Sequence, residues 1–297
     1  MAFYRLAGQD FHFPYFIPEL DPFESPCIEP TDTGAQSLPA SYNLSNNTFG
    51  WVGNAQRLVE LWSAPPGSLL KVAGGSDFYI APGGQSIVRV QASHRRAESW
   101  EEPPLACLTG LDRDILLGPS LVLALAQREV WCLHASAAAW QGRTFAFLGE
   151  SGAGKSTLAA SLSHTGTLDW RLVADDILPV TLETAGVTAW PRFPQLKLPV
   201  EAQPGPALPE HIPLDRLVLL MVASEAQQPE LIPLSCSQAA QALLGQTAGV
   251  RLFDLDLLSV HMAFCARAGE ALSTYQLTYP HRPEALPIVK ELLETIC

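Results

Sequence analysis

A glycine-rich segment at positions 149–156 is the part of the sequence whose residue types and spacing most directly indicate chemistry. It reads Gly-Glu-Ser-Gly-Ala-Gly-Lys-Ser and matches the pattern G-x-x-x-x-G-K-S at every fixed position, the Walker A pattern. Its glycines permit backbone conformations in which successive amide N–H groups point inward at an anion. Lys155 would reach phosphate oxygens, and the hydroxyl of Ser156 is a candidate Mg²⁺ ligand. The segment therefore predicts a site for the phosphates of ATP with Mg²⁺.

The chain around this segment has the pattern that such a site requires. Residues 144–148 read as a strand that runs into the segment, and residues 156–163 read as a short helix. The positive N-terminal end of that helix would face the same phosphates. The alternative is a glycine-rich turn with an exposed lysine that matches by chance. The predicted nucleotide-binding residues are Gly149, Glu150, Ser151, Gly152, Ala153, Gly154, Lys155, Ser156 and Thr157.

Two acidic residues, Asp175 and Asp176, follow an apolar strand predicted at 170–174, twenty positions after Lys155. The carboxyl ends of strands in open parallel sheets face the crevice where ligands bind. If both carboxylates converge on the site, one can hold Mg²⁺ while the other accepts the proton of an attacking hydroxyl. We expect Asp175 to be the base and Asp176, with Ser156, to bind the metal. The alternative is a solvated pair that caps a loop.

His134 and Lys197 are further candidate catalytic residues. If Gln141-Gly142 is a hairpin turn, the residue numbers of each pair of opposite residues add up to 283. His134 would then lie opposite Gly149, beside the phosphate loop. The alternative is a structural histidine. Lys197 lies beyond the Asp pair on a proline-rich segment that could fold over the site, and it could equally be a surface cation. The carboxylate of Glu150 would repel a bound phosphate unless Mg²⁺ or a proton neutralises the charge, or unless the side chain points to solvent.

Three segments together resemble the catalytic domain of HPr kinase/phosphorylase and its kinase-like relatives. They are 133–136 (Leu-His-Ala-Ser), 149–156 and 172–176 (Leu-Val-Ala-Asp-Asp), and both their order and their spacing match. The close resemblance covers about 117–200. It implies an α/β P-loop domain of the HPr kinase/PEP carboxykinase type with a mixed sheet. It also implies that His134, Lys155, Ser156, Asp175 and Asp176 occupy active-site positions, with one Asp accepting a proton from a serine hydroxyl.

A V-R-P-G-R-N type segment is missing from this sequence, and the nearest stretch is Ile212-Pro213-Leu214-Asp215-Arg216. In the typical enzymes of the family that segment is linked to phosphorylase activity and to contact with the carrier protein HPr. The sequence therefore looks more like the family's shorter relatives, some of which phosphorylate a serine on a biosynthetic peptide such as a lasso-peptide precursor.

The elements that must position these residues alternate between strands and helices, which favours an α/β domain. Short apolar runs between 41 and 91 indicate a smaller β-rich region, and a compact apolar helix is expected at 121–127, beginning at Gly118-Pro119-Ser120. We therefore predict a β-rich N-terminal region at 1–112 and a catalytic domain at 113–297. Further elements are expected as a strand at 132–140, a strand at 217–223, helices at 237–244 and 253–268, a strand at 273–279 and a final helix at 283–296.

Composition narrows the class of partner. The 297 residues carry a net charge of −12, and their 18 Lys and Arg form no basic run, so nucleic acid is not an expected partner. The six cysteines show no zinc spacing, which favours free thiols. The apolar stretches are shorter than the about 20 residues that span a bilayer, and the start is unlike a signal peptide. We expect a cytoplasmic protein without a membrane partner, with homo-oligomers allowed.

The sequence thus predicts an ATP-dependent serine kinase, a phosphotransferase that acts on a peptide or small protein. A second hypothesis keeps the site but makes the acceptor a small molecule such as free serine. A third is a nucleotide-sensing binding module without catalysis, whose β-rich region engages a partner.

Overall fold

The computed structural model describes residues 2–13, 17–25, 43–90, 108–164, 170–195, 208–223 and 228–296. The chain divides into two compact units. The first unit comprises Met1–Val130 with Gly249–Leu258, and the second comprises Trp131–Ala248 with Ser259–Cys297. This division comes later in the chain than the domain boundary predicted after residue 112.

An antiparallel sheet of five strands, in the order β3-β4-β5-β6-β7, forms the β-rich part of the first unit. A separate hairpin is formed by β1 and β2. The strands are β1 (Ala2–Leu6), β2 (Gln9–Phe13), β3 (Asn43–Val52), β4 (Ala55–Ala64), β5 (Gly67–Val72), β6 (Asp77–Ile80) and β7 (Ile87–Val90). The apolar runs predicted as strands between 41 and 91 all lie in this sheet.

The helical part of the first unit begins earlier than expected. Helix α1 (Gly110–Ile115) is capped by Thr109, whose hydroxyl accepts the amide of Asp112 at 3.1 Å. The chain continues through a wide turn over 116–120 into α2 (Leu121–Ala126). The helix predicted at 121–127 is confirmed as α2, which directly follows Gly118-Pro119-Ser120, although Ser120 makes no capping bond with its side chain. A Ser after Gly-Pro resembles a helix start, but here Gly118 and Pro119 form an irregular turn between two short helices.

The second unit contains a mixed sheet of six strands in the order β11-β9-β10-β15-β17-β16. β10, β15 and β17 are parallel, whereas β9 and β11 on one side and β16 on the other run against their neighbours. The strands are β8 (Trp131–His134), β9 (Ser136–Trp140), β10 (Arg143–Leu148), β11 (Trp170–Ala174), β12 (Ile177–Glu183), β13 (Gly186–Ala189), β14 (Ile212–Pro213), β15 (Arg216–Val222), β16 (Glu230–Pro233) and β17 (Ser273–Tyr279). The helices are α3 (Lys155–His164), α4 (Cys236–Gln246), α5 (Leu255–Ala271) and α6 (Leu286–Glu294).

The strand predicted at 132–140 is in fact two strands that belong to different sheets. β9 pairs with β10, whereas β8 joins a sheet of four strands in the order β14-β13-β12-β8. The chain changes sheets at Ala135, whose amide donates to the carbonyl of Asp176 at 3.1 Å. The predicted hairpin turn and register are confirmed from Arg143↔Trp140 to Phe147↔Ser136. The predicted pairing of His134 with Gly149 is wrong, because His134 pairs with Ile177 on β12.

Apolar side chains of β10 and α6 pack with those of α3 and hold this helix against the six-stranded sheet. Leu158, Ala159 and Leu162 on α3 belong to one buried cluster with Phe145 and Phe147 on β10. Val289 and Leu293 on α6 complete the same cluster. Since β10 and α3 flank the glycine-rich segment, this core sets the position of both of its ends.

In the described part of the chain, no helix is both long and apolar enough to cross a membrane. Among the same residues Cys132, Cys236 and Cys265 are free thiols.

Candidate active site

A cavity of about 270 Å³ brings the glycine-rich loop together with residues from two other parts of the second unit. It is lined by His134, Ser136, Ser151, Gly152, Gly154, Lys155, Ser156, Thr157 and Asp176. These residues come from the change of sheets between β8 and β9, from the loop and first turn of α3, and from the turn between β11 and β12. Residues more than forty positions apart in the sequence therefore meet around one space.

The loop backbone takes conformations that only glycine adopts readily. Gly149, Gly152 and Gly154 have φ of 146°, 85° and 85°. A Cβ at Gly149 would lie 2.9 Å from the carbonyl oxygen of Leu220, so glycine also permits the close approach of the loop to β15. The carbonyl of Gly154 accepts the amide of Leu158 at 2.8 Å and thus makes the first hydrogen bond of α3.

Lys155 is held against the loop and is only 7% exposed. Its Nζ donates to the carbonyl oxygens of Gly149 at 2.7 Å and Glu150 at 3.2 Å. Two fixed carbonyls thus keep a cation at the wall of the cavity. This arrangement places a positive charge where an anion that enters the loop would meet it.

Asp175 lies behind the cavity wall and is 8% exposed. Its Oδ1 accepts a hydrogen bond of 2.6 Å from the hydroxyl of Ser136. The Oγ of Ser136 lies 3.5 Å from the Oγ of Ser156. The carboxylate is therefore linked through one hydroxyl to the residue that the sequence predicts as a metal ligand.

Asp176 reaches the cavity directly. Its Oδ1 lies 3.4 Å from Nε2 of His134. With φ of 93° it leaves the extended conformation, so the alternation that would send neighbouring side chains to opposite faces does not continue through the pair. Both carboxylates therefore approach the site, Asp176 at its surface and Asp175 through Ser136.

The comparisons with known proteins give a likeness to solved structures. No family model matches the chain, and no curated protein matches it. A matching solved structure is that of the Hpr(Ser) kinase/phosphatase from Coxiella burnetii, at 15% identity and a TM-score of 0.33. The match covers 55% of this chain and 88% of that one. At this TM-score the likeness carries no argument about the activity of the chain.

The remaining predicted site residues occupy several environments. Gly149 and Ala153 are buried and Glu150 is exposed, and these three do not line the cavity. Ala153 belongs to the apolar cluster under the sheet. Lys197 lies outside the described residues.

Three residues support the site without having been predicted from the sequence. Gln195 accepts the amide of Asp175 at 2.8 Å. Nε2 of His281 lies 3.0 Å from the carbonyl oxygen of Ala153, and the rings of His281 and Tyr279 contact each other at 5.3 Å between centroids. Burial raises the pKa of Tyr279, so its hydroxyl stays protonated beside the loop. Their partners are distant in the chain, and no short motif marks such contacts.

The polar groups around the cavity fit a phosphate chain with a magnesium ion. Glycines in left-handed conformations and a buried lysine are suited to an anion. A serine hydroxyl and carboxylates supply the oxygen ligands that Mg²⁺ prefers, and magnesium sites commonly take only one or two carboxylates. The described residues contain no group of three or more His, Cys, Asp or Glu that could hold a metal. Ser156 and one of the two Asp residues are the candidate protein ligands.

Proposed function

We propose that this protein is a P-loop kinase of the HPr kinase-like type. It would transfer the γ-phosphoryl group of Mg-ATP to a serine hydroxyl of a peptide or small protein. The observation that supports this most is the cavity in which Lys155, Ser156, His134 and Asp176 face one another. Phosphoryl transfer needs positioning and neutralisation of charge more than covalent chemistry, and these side chains supply both.

The loop and Lys155 would hold the β- and γ-phosphates. The ammonium group now donates to two loop carbonyls, and phosphate oxygens would offer it stronger, charged acceptors at the same wall of the cavity. The cavity is smaller than the roughly 300–1,000 Å³ of pockets that enclose whole drug-sized ligands. It therefore suits the phosphate end of a nucleotide.

The geometry favours Asp176 as the proton acceptor, in place of the expected Asp175. A general base must come within hydrogen-bonding distance of the hydroxyl that it deprotonates, and Asp176 is the carboxylate that lines the cavity. Asp175, linked through Ser136 to Ser156, is better placed to orient the metal side of the site. A bound Mg²⁺ would supply charge neutralisation between the phosphate oxygens.

Asp176 would take the proton of the serine hydroxyl as the serine oxygen forms its bond to the γ-phosphorus. The bond from phosphorus to the β–γ bridging oxygen breaks, and that oxygen keeps the electron pair and leaves with ADP. His134, 3.4 Å from Asp176, would orient the carboxylate of Asp176. An imidazolium at His134 would also stabilise the negative charge of that carboxylate.

Transfer of a γ-labelled phosphoryl group tests the proposal. The full chain is incubated with labelled Mg-ATP and with serine peptides, small proteins or free serine in separate reactions. We expect label on a serine of a peptide or protein. Asp176→Asn should lower the rate by at least about 10²-fold, within the usual contribution of a general base, with ATP affinity retained. Arg171→Gln, a change on an exposed side chain of β11, is the control that should leave the rate unchanged.

Other results of the same assay identify the competing functions. Label on free serine alone would identify a small-molecule kinase. ATP binding without label on any acceptor would contradict the kinase proposal and favour a nucleotide-sensing module.

A further inference from the structure

A fully buried glutamine, Gln195, lies directly behind the carboxylate pair. Its side-chain oxygen accepts the amide of Asp175 at 2.8 Å. Its side-chain nitrogen donates to the carbonyl oxygens of Ile177 at 3.0 Å and Phe193 at 3.1 Å. One side chain therefore holds the backbone on both sides of Asp176 and ties it to the segment after β13.

These contacts need the chemistry of a side-chain amide. The backbone N–H of Asp175 must donate and the two carbonyls must accept, so the oxygen and nitrogen of Gln195 are fixed in one orientation by their partners. An ionised glutamate could satisfy only the N–H of Asp175, and methionine offers that N–H a weak sulfur acceptor and the two carbonyls no donor.

The backbone that Gln195 holds takes an uncommon conformation at Asp176. Asp176 has φ of 93°, a conformation that residues with a side chain rarely adopt. Such conformations persist where the surroundings fix them. Gln195 fixes the residue on either side, and the amide of Ala135 holds the carbonyl of Asp176 itself at 3.1 Å.

We propose that Gln195 is a positioning residue for both carboxylates: it sets the turn that presents Asp176 to the cavity and Asp175 to Ser136. The proposal rests on the proposed function, because it assigns a task to a residue behind the kinase site. Gln195 would touch neither ATP nor the acceptor, and its effect would pass through the backbone of Asp175 and Ile177.

The test uses Gln195→Met in the full chain, because methionine has a similar volume and neither hydrogen-bonding group. Two quantities are measured. The first is the rate of hydrogen exchange at the amide of Asp175. The second is the Mg²⁺ requirement, defined as the Mg²⁺ concentration at which half of the Mg²⁺-dependent gain in ATP affinity is reached. We expect faster exchange at Asp175 and a Mg²⁺ requirement raised by about 10- to 100-fold, the usual effect of losing a partner that orients a metal ligand. ATP affinity in EDTA should be unchanged, because the loop residues are intact.

Gln276→Met is the matched control, since Gln276 on β17 is part-buried and its side-chain nitrogen donates to Oγ1 of Thr278 on the same strand at 3.3 Å. It should change neither measurement. Gln195→Glu serves if the methionine variant does not fold. It keeps the acceptor for Asp175 and loses the donors to Ile177 and Phe193, so exchange at Asp175 should stay slow while exchange at Ala135, whose amide donates to the carbonyl of Asp176, becomes faster.

Unchanged exchange at Asp175 together with an unchanged Mg²⁺ requirement in Gln195→Met would overturn the positioning role. So would unchanged exchange at Ala135 in Gln195→Glu. Neither measurement depends on phosphoryl transfer. A wild-type protein that labels no acceptor would therefore refute the proposed kinase activity separately.

Discussion

At the scale of single residues, two glycines of the loop are required for different physical reasons, backbone conformation and lack of space for a side chain. Gly152 and Gly154 have the same φ of 85°. A Cβ added at Gly152 would meet nothing within 4 Å, whereas one at Gly154 would lie 2.8 Å from the hydroxyl of Tyr279 and 3.2 Å from Nε2 of His281. Backbone strain would thus act at both positions, and a steric clash at Gly154 alone.

Alanine at the two positions should therefore have unequal effects. Both variants carry the strain of a left-handed residue, roughly 1–2 kcal/mol. Gly154→Ala should lower the free energy of unfolding further than Gly152→Ala, because Tyr279 and His281 must move. Chemical denaturation of the two variants measures the difference. Equal destabilisation would show that the contact with Tyr279 does not constrain the loop.

Residues within a local motif could be predicted from the sequence, and residues that act across the fold could not. The loop and the Asp pair are contiguous patterns with a physical reason for their spacing. Gln195 lies twenty positions from Asp175, and His281 lies 128 positions from Ala153. Only the pairing of strands and the return of the chain bring these partners together.

At the scale of elements, α1 of the first unit depends on a buried carboxylate at its N-terminal turn. Asp112 is 3% exposed, and its two oxygens accept from the amide of Ser76 at 2.8 Å and the hydroxyl of Ser76 at 3.0 Å. Nη1 of Arg89 lies 3.4 Å from the same carboxylate. The side chain therefore joins α1 to the loop before β6 and to β7.

Asp112→Ala should destabilise the first unit by about 1–3 kcal/mol, because the amide and the hydroxyl of Ser76 lose the acceptor to which they donate. The loss of free energy is measured by denaturant unfolding. Asp10→Ala is the control, since the ion pair of Asp10 with Arg5 is about half exposed and should be worth less than about 1 kcal/mol. A loss at Asp112 no larger than the loss at Asp10 would contradict the structural role.

Helix α5 carries a histidine whose burial predicts a dependence of stability on pH. His261 is fully buried, with Nε2 2.9 Å from Oγ1 of Thr247 and 3.3 Å from Sγ of Cys265. Desolvation lowers its pKa from 6.5 to about 4. Between these two values the unfolded chain binds a proton that the folded protein does not, so stability falls as the pH is lowered through this window.

The expected loss between pH 7 and pH 5 is about 2 kcal/mol from this group. His261→Gln should reduce the pH dependence by that amount, whatever its effect on stability at pH 7. His211→Gln, at an exposed position, should leave the dependence unchanged. Denaturant unfolding at the two pH values compares the three proteins, and a pH dependence that is the same with and without His261 would contradict the prediction.

Local pairing of elements was predictable where turn chemistry determines it. Gln141 and Gly142 have φ of 46° and 82°, the geometry of a two-residue hairpin turn with both central residues left-handed, and the predicted register follows from it. The change of sheets at Ala135 was not predictable, because residues 131–140 contain no glycine or proline that would mark a break between two strands. Which neighbour each half joins depends on β12, which pairs with β8 although it lies more than forty positions further along the chain.

At the scale of the whole molecule, every described residue of the candidate site belongs to the second unit. The first unit contributes residues 249–258, which interrupt the second unit in the sequence. The alternation of strands and helices predicted an α/β arrangement, and the structure is a mixed α/β fold with several sheets. The additional four-stranded sheet was not predicted, because β8, β13 and β14 are short and because two of its pairings, β12 with β8 and β13 with β14, connect distant segments.

Equilibrium binding of ATP tests the central claim most directly, since every proposed step needs the loop to hold the phosphates. ATP is titrated into the wild-type protein and into Lys155→Ala, each with Mg²⁺ and with EDTA, and the heat of binding is measured. We expect saturable binding by the wild type that Mg²⁺ strengthens, and loss of most of that affinity in Lys155→Ala. Absence of ATP binding by the folded wild-type protein, or equal affinity without Lys155, would contradict a phosphate site at 149–156.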